Sequence, residues 1–373
     1  MSLRFLIIDT YYSSFLKSLR DKNLTLEKKS YKEQLRYLLN QFFGTSDFYS
    51  YNLKRLGYYA DDIVANDEVL QRKWAEENEL SVGKSKILER IKTLPLLYKF
   101  LGRPDWIQEI TLAQIKKAKA DVLYMQDLSV LNPETLRKAK KHCKVLVGQI
   151  ASSMPAKENL ELFDLILTSF PHYVEKFRRV GVKSEYFKIA FEPRVLDKIG
   201  EQSKKYGAVF VGGFTPQHAQ GTKILEKAAK KTKIDIWGRG VEFLSPTSGL
   251  RKTYHGEAWA LNMYKILAQS KISINRHIDV AENYANNMRL YEATGVGTML
   301  LTDSKKNLGE LFRVGKEIVD YNNEDDLTDK IKYFLEHEKE REDIAKAGQK
   351  RTLKEHTYSE RMKELIRILS KHV

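Results

Sequence analysis

The stretch NNMRLYEATGVGTMLLTD, residues 286–303, places a short helical pattern directly before an apolar strand. Asn287 is a suitable N-cap for a helix from Met288 to about Thr294, which Gly295 would end. The segment TMLLTD has the length and apolar character of a buried strand. The sequence therefore predicts a helix–strand unit of the kind that builds parallel α/β sheets.

Similar units recur along almost the whole chain, in two series. The candidate strands of the first series are LRFLIID (3–9), DVLYMQ (121–126), KVLVGQI (144–150), DLILTS (164–169) and YFKIAF (186–191). Those of the second are AVFVGG (208–213), IDIWG (234–238), KISIN (271–275), TMLLTD (298–303) and EIVDY (317–321). Apolar strands separated by helices are typical of parallel sheets. We therefore predict an α/β fold with two doubly wound, Rossmann-like domains that face each other across a cleft.

The two series define the expected domains. Residues 1–195 form the N-terminal domain and residues 206–357 the C-terminal domain, with the polar segment FEPRVLDKIGEQSKKYG as linker. Stretches 30–57 and 68–92 are expected to be helical. Residues 358–373 repeat apolar side chains on one helical face, which predicts a packing helix. Peripheral binding of its basic face to an anionic membrane is the alternative.

Composition excludes several classes of protein. With 373 residues, 42% apolar and 30% charged, the chain is expected to be globular. It contains no apolar run of about 18 residues, so no membrane span is expected. Its one cysteine, Cys143, rules out an internal disulfide framework and favours the cytoplasm. The net charge of +15 would attract nucleic acid, an anionic membrane or a phosphorylated small molecule, although lysines spread along helices also suit solvated surfaces.

Unusual residues follow several predicted strands. In open parallel sheets, ligands bind outside the carboxyl ends of the strands. The candidates at those ends are Asp9-Thr10-Tyr11-Tyr12, Gly148-Gln149, Gly212-Gly213, Gly238-Arg239-Gly240 and Asn275-Arg276-His277. We expect them to converge on the cleft between the two domains.

The second series supplies groups suited to an anionic ligand. Gly212 and Gly213 lack side chains and precede a helix, so a phosphate could approach their N–H groups, but a structural turn explains either glycine equally well. Arg239 is a fixed cation at a strand end. Arg289 lies in the first turn of its helix, where a cation opposes the helix dipole, so it needs an anionic ligand or a carboxylate partner. Glu292, one turn later, could accept hydrogen bonds from a ribose diol; an ordinary surface glutamate is the alternative.

The region from SKISIN through NNMRLYEATGVGTMLLTD to QKRTLKEHTY resembles the carboxyl half of GT-B glycosyltransferases of group 1 type, and more narrowly the CgeB-like group. DTYYSSF, FFGTSDFYS and LTSFPHYVEKFRRVG are more loosely similar to the amino-terminal half. The resemblance implies transfer of a sugar from a nucleotide-diphosphate-sugar donor to a glycan, lipid-linked or protein acceptor, in bacterial cell-surface glycan or lipopolysaccharide synthesis. It also implies that the last helix crosses back onto the first domain.

The resemblance also assigns residues. It implies that Glu292, followed by Ala293, binds the donor ribose, and that Asn287 and Arg289 belong to an N-x-R-x-x-E pattern. The position that carries the first glutamate of E-x7-E relatives is Tyr284 here, which leaves the donor and the stereochemistry open. The predicted donor-binding set is Gly212, Gly213, Arg239, Asn275, Asn287, Met288, Arg289 and Glu292.

The reaction is expected to need neither a metal nor a bound cofactor. No D-x-D, H-E-x-x-H or C-x-x-C pattern occurs, so arginines and backbone amides would offset the charge of the leaving diphosphate, with Arg289 acting catalytically. Asp9 is the candidate general base of an inverting enzyme; a turn aspartate is the alternative. The candidate acceptor or sugar pocket comprises Tyr11, Tyr12, Gln149 and His218.

Three other functions stay open at this point. A nucleotide-sugar epimerase shares the two-domain fold and needs no acceptor. The basic charge would suit a nucleic-acid-binding protein, but no recognition motif supports one, and nucleic acid is not expected as a partner. The residue Tyr284 also allows a non-catalytic nucleotide-sugar binder.

Overall fold

A computed structural model describes residues 2–83, 105–155 and 157–372. The strands of the amino-terminal half are β1 (Arg4–Asp9), β2 (Tyr59–Val64), β3 (Val122–Met125), β4 (Val145–Ile150), β5 (Leu165–Thr168) and β6 (Ser184–Tyr186). Those of the carboxyl-terminal half are β7 (Tyr206–Val211), β8 (Asp235–Trp237), β9 (Ser270–Asn275), β10 (Met299–Asp303) and β11 (Val319–Tyr321).

Helices connect most of these strands. The α-helices up to the middle of the chain are α1 (Ser13–Asp21), α2 (Tyr31–Leu39), α3 (Phe48–Arg55), α4 (Glu68–Glu77), α5 (Asp105–Ala118), α6 (Pro133–Lys140), α7 (Lys157–Leu160), α8 (Pro171–Arg179) and α9 (Arg194–Ile199). The remainder are α10 (Ala219–Ala228), α11 (Ala260–Ala268), α12 (Met288–Gly295), α13 (Leu308–Leu311), α14 (Glu324–Glu336), α15 (Glu338–Glu355) and α16 (Tyr358–Leu369). Among the described residues, no helix combines the length and apolar character needed to span a bilayer.

The strands form two parallel sheets, as predicted. The first sheet has the order β2-β1-β3-β4-β5-β6 and the second the order β11-β10-β9-β7-β8. In each sheet the chain progresses outward on both sides of its first strand, so a topological switch point lies between β1 and β3 and another between β7 and β9. Ligands of doubly wound sheets bind beside such points, at the carboxyl ends of the strands.

The first half differs from the prediction in two strands. The edge strand β2 was not predicted, because Asp61 and Asp62 interrupt its apolar pattern; only one side of an edge strand is paired. YFKIAF is not a strand: β6 ends at Tyr186, and the buried rings of Phe187 and Phe191 lie on irregular chain. The predicted linker contains α9. Of the predicted helix 68–92, the structure shows α4, and residues 84–92 lie outside the described part of the chain.

The predicted helix caps are confirmed. The Asn132 side chain accepts a hydrogen bond from the Thr135 amide at 2.8 Å, at the start of α6. Asn287 does the same for Leu290 at 3.4 Å, at the start of α12. These asparagines satisfy amides that have no partner within their own helix.

The last helix packs on the amino-terminal half, as the family resemblance implies. Met362, Leu365 and Leu369 of α16 are buried in a core shared with α3. The Tyr358 ring lies 5.1 Å from that of Phe48, between ring centroids. The apolar face of α16 is therefore covered by protein.

The chain crosses between its two halves twice, once near Phe191 and once near His356. These two crossing segments are hydrogen-bonded to each other. The Phe191 amide donates to the His356 carbonyl at 2.8 Å, and the Tyr358 amide donates to the Phe191 carbonyl at 3.0 Å. The buried Phe191 ring packs against the last residue of α12, Gly295, where an added methyl group would lie 2.4 Å from the ring. A glycine is needed there because the crossing segment lies directly on this helix.

We expect Gly295→Ala to lower the free energy of unfolding by about 1–3 kcal/mol because the Phe191 ring has no room to move aside. Alanine is the better helix former by about 1 kcal/mol, so the overpacking must exceed that gain. Gly309→Ala, in α13 with no atom within 4 Å, is the matched control and should not destabilise. Denaturant unfolding measures both. A G295A variant as stable as the natural chain would show that the contact is loose.

Candidate active site

A cavity of about 510 Å³ lies between the carboxyl ends of the two sheets. Its amino-terminal wall includes Asp9 at the end of β1 and Gln126 after β3, the two strands that flank the first switch point. Its other wall includes Gly213 after β7 and Arg276 after β9, which flank the second switch point. The edges of the two sheets at which ligands are expected to bind therefore face the same cavity.

Closely packed glycine loops form part of the carboxyl-terminal wall. Gly238 follows β8 with φ +140°, and a methyl group there would lie 1.9 Å from the Gly212 carbonyl oxygen. The Gly212 amide donates to the Trp237 carbonyl at 2.9 Å, so this amide holds the two loops together. The Gly213 amide makes no backbone hydrogen bond within the described chain. Of the two glycine amides, Gly213 is therefore the one that can donate to a ligand.

Arg276 fixes the shape of the glycine loop. Its Nη2 donates to the Gly213 carbonyl at 2.8 Å and its Nη1 to the His218 carbonyl at 3.1 Å. The guanidinium also lies over the rings of Phe210 and Phe214, at 5.0 and 5.7 Å from their centroids. Burial lowers the pKa of Arg276 to about 10, which leaves it charged at neutral pH. The loop is therefore held open by a buried cation.

Two asparagines hold the start of α12 against the sheet. Asn287 Nδ2 donates to Asn275 Oδ1 at 2.9 Å, and Asn275 Nδ2 donates to Thr302 Oγ1 at 2.9 Å. Met288 and Arg289, the first two residues of α12, line the cavity. The positive end of the helix dipole and its unpaired first-turn amides thus face the ligand space.

A buried histidine–aspartate hydrogen bond supports the turn that begins α12. His277 Nδ1 lies 2.7 Å from Asp303 Oδ1, and its Nε2 accepts from the Asn286 amide at 3.3 Å. Burial alone would raise the pKa of Asp303, but its interactions with His277 and the charge of Lys305 lower it to about 2. His277 is therefore a positioning residue for the turn that begins α12.

Arg289 and Glu292 form an ion pair inside the cavity. Arg289 Nη1 lies 2.9 Å from Glu292 Oε2, without the alignment of a hydrogen bond, and Nη2 donates to Met263 Sδ at 3.2 Å. Burial raises the pKa of Glu292, which is 5% exposed, while the charge of Arg289 opposes that rise. An anionic ligand or a carboxylate partner could explain a cation in the first turn of a helix, and for Arg289 the structure shows the carboxylate partner. Because sulfur is a weak acceptor, the guanidinium can still donate to an anion.

Arg239 reaches across the cleft to the other half. Its guanidinium lies 4.0 Å from the centroid of the Tyr12 ring, within cation–π range. Tyr12 is 46% exposed and also meets the rings of Trp259 and Phe43 edge to face, at 5.5 and 5.6 Å. The mouth of the cavity is therefore aromatic, with a cation above it.

Asp9 lines the opposite wall. Its Oδ1 accepts from the Thr10 amide at 2.7 Å, the turn role considered above, and its Oδ2 accepts from Thr45 Oγ1 at 3.1 Å. Burial, with a smaller contribution from the charge of Asp127, raises the pKa of Asp9 to about 7. A carboxylate with a pKa near neutrality is suited to taking up a proton during a reaction. The geometry gives Asp9 both a local structural role and access to the ligand space.

A second cavity of about 450 Å³ adjoins the first on the amino-terminal side and shares Asp9, Thr45 and Gln126 with it. Gln149 lines this second cavity. Its Oε1 accepts hydrogen bonds from the hydroxyls of Tyr49 at 2.8 Å and Tyr124 at 2.7 Å. Two buried tyrosines thus fix the orientation of this amide.

Of the residues predicted for the acceptor or sugar pocket, Tyr11 lines neither cavity, and His218 lines the one between the sheets. Tyr11 is 3% exposed and packs against Phe15 and Phe43, because the turn after β1 directs its ring into a small core beneath Tyr12. His218 lines the cavity with the arginines and not the one with Gln149. Burial and the charges of Arg276 and Arg239 lower the pKa of His218 to about 4, so it is neutral there.

Sequence reasoning missed several residues that line the cavities. Gln126 ends a strand that was recognised, so its position could have been read as a strand end like that of Asp9. Arg276 was noted at a strand end, but its hydrogen bonds to the glycine loop depend on residues 58 and 63 positions away. Loop residues Thr45 and Trp259 have no sequence signal. Among the described residues, no group of three or more His, Cys, Asp or Glu is arranged to hold a metal ion.

Comparison with known proteins supports this interpretation of the fold. Residues 220–367 match a family model described as glycosyl transferase-like. No curated protein gives a significant sequence match. Among solved structures, the chain is similar to a glycosyltransferase from Rickettsia africae ESF-5, with a TM-score of 0.57 and 12% identity over 99% of this chain and 98% of that one.

Two further structures match over the full length. Anabaena HepE, solved in complex with UDP-glucose, has a TM-score of 0.57 and 12% identity, over 99% of this chain and 100% of that one. AviGT4, a glycosyltransferase involved in avilamycin A biosynthesis, has a TM-score of 0.58 and 11% identity, over 99% and 98%. The chain therefore has the GT-B fold.

We expect Asp303→Asn to destabilise the protein by about 2–3 kcal/mol at pH 7. A carboxylate whose folded pKa is lowered to about 2 stabilises the fold above its unfolded pKa of about 4, and this contribution disappears as the pH falls towards 2. Denaturant unfolding of the natural chain and D303N at several pH values measures the difference. The gap should narrow between about pH 5 and pH 2. A gap independent of pH would contradict a charge-based role for this pair.

Proposed function

We propose that the protein is a glycosyltransferase of hexosyltransferase type, which moves a sugar from a nucleotide-diphosphate-sugar donor to an acceptor hydroxyl without a metal ion. The observation that carries this proposal is the single cavity onto which both switch points open. Three arginines line one wall and a carboxylate with a pKa near 7 lines the other. The family match over residues 220–367 agrees with it. We assign residues 206–357 to the donor side and 1–195 to the acceptor side.

The donor would lie along the start of α12. Glu292 keeps acceptor capacity on both oxygens and would bind the ribose hydroxyls. The diphosphate would contact the Gly213 amide, the first-turn amides of α12, Arg289 and Arg239. These donors are held in place before the ligand arrives, so they can stabilise the charge that develops on the leaving diphosphate with little reorganisation.

The acceptor hydroxyl would enter from the side of Asp9. In a direct displacement, its oxygen forms a bond to the anomeric carbon as the bond to the diphosphate breaks, and its proton passes to Asp9. That reaction inverts the anomeric configuration. The wall of arginines receives the negative charge of the departing nucleotide diphosphate.

We propose a cytoplasmic site of action in bacterial cell-surface glycan synthesis. The resemblance to CgeB-like transferases and the single cysteine support this setting. The similarity to solved structures lies in the fold, which leaves the acceptor open. Because the apolar face of α16 is buried, any contact of that helix with an anionic membrane would be through its basic face.

A thermal-shift screen against UDP-, GDP-, TDP- and CMP-sugars tests the proposal. A ligand that binds only the native state raises the unfolding temperature. We expect at least one diphosphate donor to do so, and the monophosphate CMP-sugar to have less effect. Product formation from that donor only when an acceptor is added would distinguish transfer from epimerisation. Stabilisation by nucleic acid instead, with a steep salt dependence, would contradict the proposal.

We predict that Glu292→Gln weakens binding of the diphosphate donor about tenfold or more, since the ribose hydroxyls lose a charged acceptor. Isothermal titration calorimetry measures the affinity. Glu336→Gln, at an exposed position of α14, is the matched control. Unchanged donor affinity in E292Q would remove Glu292 from the site.

Arg289→Lys should reduce kcat more than it reduces affinity for the free nucleoside, because Arg289 is proposed to contact the diphosphate.

The pH dependence of transfer tests the role of Asp9. Because only the ionised form accepts a proton, we expect kcat/KM to rise with pH and level off above about 7. Asp9→Asn should lose about 100-fold or more of the rate. Asp62→Asn is the matched control: burial also raises the pKa of Asp62 to about 7, but this residue lines neither of the two cavities. If D62N, and not D9N, removed the acidic limb, Asp9 would not be the base.

A further inference from the structure

We propose that Thr45 and Gln126 form a hydrogen-bond relay with Asp9, and that the relay reverses its direction when Asp9 takes up a proton. Thr45 and Gln126 are then positioning residues for the general base. They hold its carboxyl group in either state and set how strongly it binds a proton. The inference rests on the proposed function, in which Asp9 receives the proton of the acceptor hydroxyl.

The Thr45 hydroxyl lies between two groups that both need its hydrogen. Thr45 Oγ1 is 3.1 Å from Asp9 Oδ2 and also forms a short hydrogen bond with Gln126 Oε1. A hydroxyl has a single hydrogen, whereas an ionised carboxylate and an amide carbonyl can only accept. With Asp9 ionised and the amide in this orientation, Thr45 can therefore satisfy one of the two oxygens but not both.

Protonation of Asp9 removes this conflict. An O–H group on Oδ2 of Asp9 can donate to Thr45 Oγ1, and the Thr45 hydroxyl then donates to Gln126 Oε1. Every hydrogen of the relay has an acceptor in this state, and the orientation of Gln126 in the structure is the one that the state requires. Because burial raises the pKa of Asp9 to about 7, the protonated and ionised states are both populated near neutral pH.

The ionised state is fully paired when the hydrogen bonds run the other way. A half-turn of the Gln126 amide places its NH₂ group against Thr45, whose hydroxyl then donates to Asp9. In the structure, Gln126 Nε2 is buried without a hydrogen-bond partner in the described chain, so the half-turn also gives this nitrogen an acceptor. Thr45 keeps its own proton throughout, and the proton that Asp9 gains is the one that the acceptor hydroxyl loses.

Other titratable side chains face Asp9 and stay in place when the relay is altered. The charge of Asp127 makes a smaller contribution to the raised pKa of Asp9. Burial raises the pKa of Tyr11 and of Tyr49, so both hydroxyls stay uncharged at neutral pH. The charged or titratable groups across the cavity are Arg239, Arg276, Arg289, Glu292 and His218. Since substitutions at Thr45 and Gln126 change none of these groups, a shifted titration of Asp9 reports on the relay.

Two substitutions should move the acidic limb of kcat/KM in opposite directions. Thr45→Val removes the hydroxyl that donates to ionised Asp9, so the limb should move up by about one pH unit. Gln126→Met removes the group that accepts from Thr45 when Asp9 is protonated, so the limb should move down by about half a pH unit. Thr45→Ser keeps the hydroxyl and is the matched control, with its limb at the pH of the natural chain. The donor is the one identified by thermal shift.

The titration of Asp9 is also followed in the ligand-free protein by ¹³C NMR of aspartate carboxyl carbons, with the Asp9 signal identified by its loss in D9N. The same opposite shifts are expected there. A titration that stays in place in T45V or in Q126M, or that moves the same way in both, would overturn the relay. Failure of the proposed function has a different signature, because no nucleotide-diphosphate sugar would then bind, while the NMR titration would still decide whether the relay exists. Circular dichroism and thermal unfolding check that both variants are folded.

Discussion

The geometry of the site depends on the backbone hydrogen bonds between the two segments in which the chain crosses from one half to the other. Phe191 pairs through its backbone with His356 and Tyr358, and α16 then packs on the first half. This pairing holds the carboxyl edges of the two sheets face to face. Since the Phe191 ring also packs on Gly295, the crossing reaches the end of the helix whose start lines the cavity. Fold and site are thus joined through one short segment.

Electrostatics divides the cleft into two environments. The carboxyl-terminal wall holds its arginines with buried partners: carbonyl oxygens for Arg276 and a carboxylate for Arg289. The amino-terminal wall presents Asp9, whose pKa is raised by burial. An anionic donor and a neutral hydroxyl would each find a matching wall, and the reacting atoms would meet at their junction. In the proposed reaction, this arrangement would use the protein's own cations to offset the charge of the leaving group.

Most of the fold could be predicted, because buried parallel strands produce apolar runs that a single sequence displays. The edge strand β2 could not, since Asp61 and Asp62 break that pattern. Strand ends identified Asp9, Gly213 and Arg239 as lining residues, because sheet topology alone brings such positions together. The direction of a side chain is set by packing, so Tyr11 was misplaced and the clamp of Arg276 was not foreseen. Loop positions such as Thr45 depend on tertiary contacts alone.

The most direct test of the central claim is a crystal structure with the nucleotide-diphosphate sugar that binds best. The account predicts the donor in the cavity between the sheets, its diphosphate within hydrogen-bond distance of Arg289 and the Gly213 amide. It predicts the ribose on Glu292 and the anomeric carbon towards Asp9. A donor bound outside this cavity, or a diphosphate held by a metal ion and not by these groups, would contradict it.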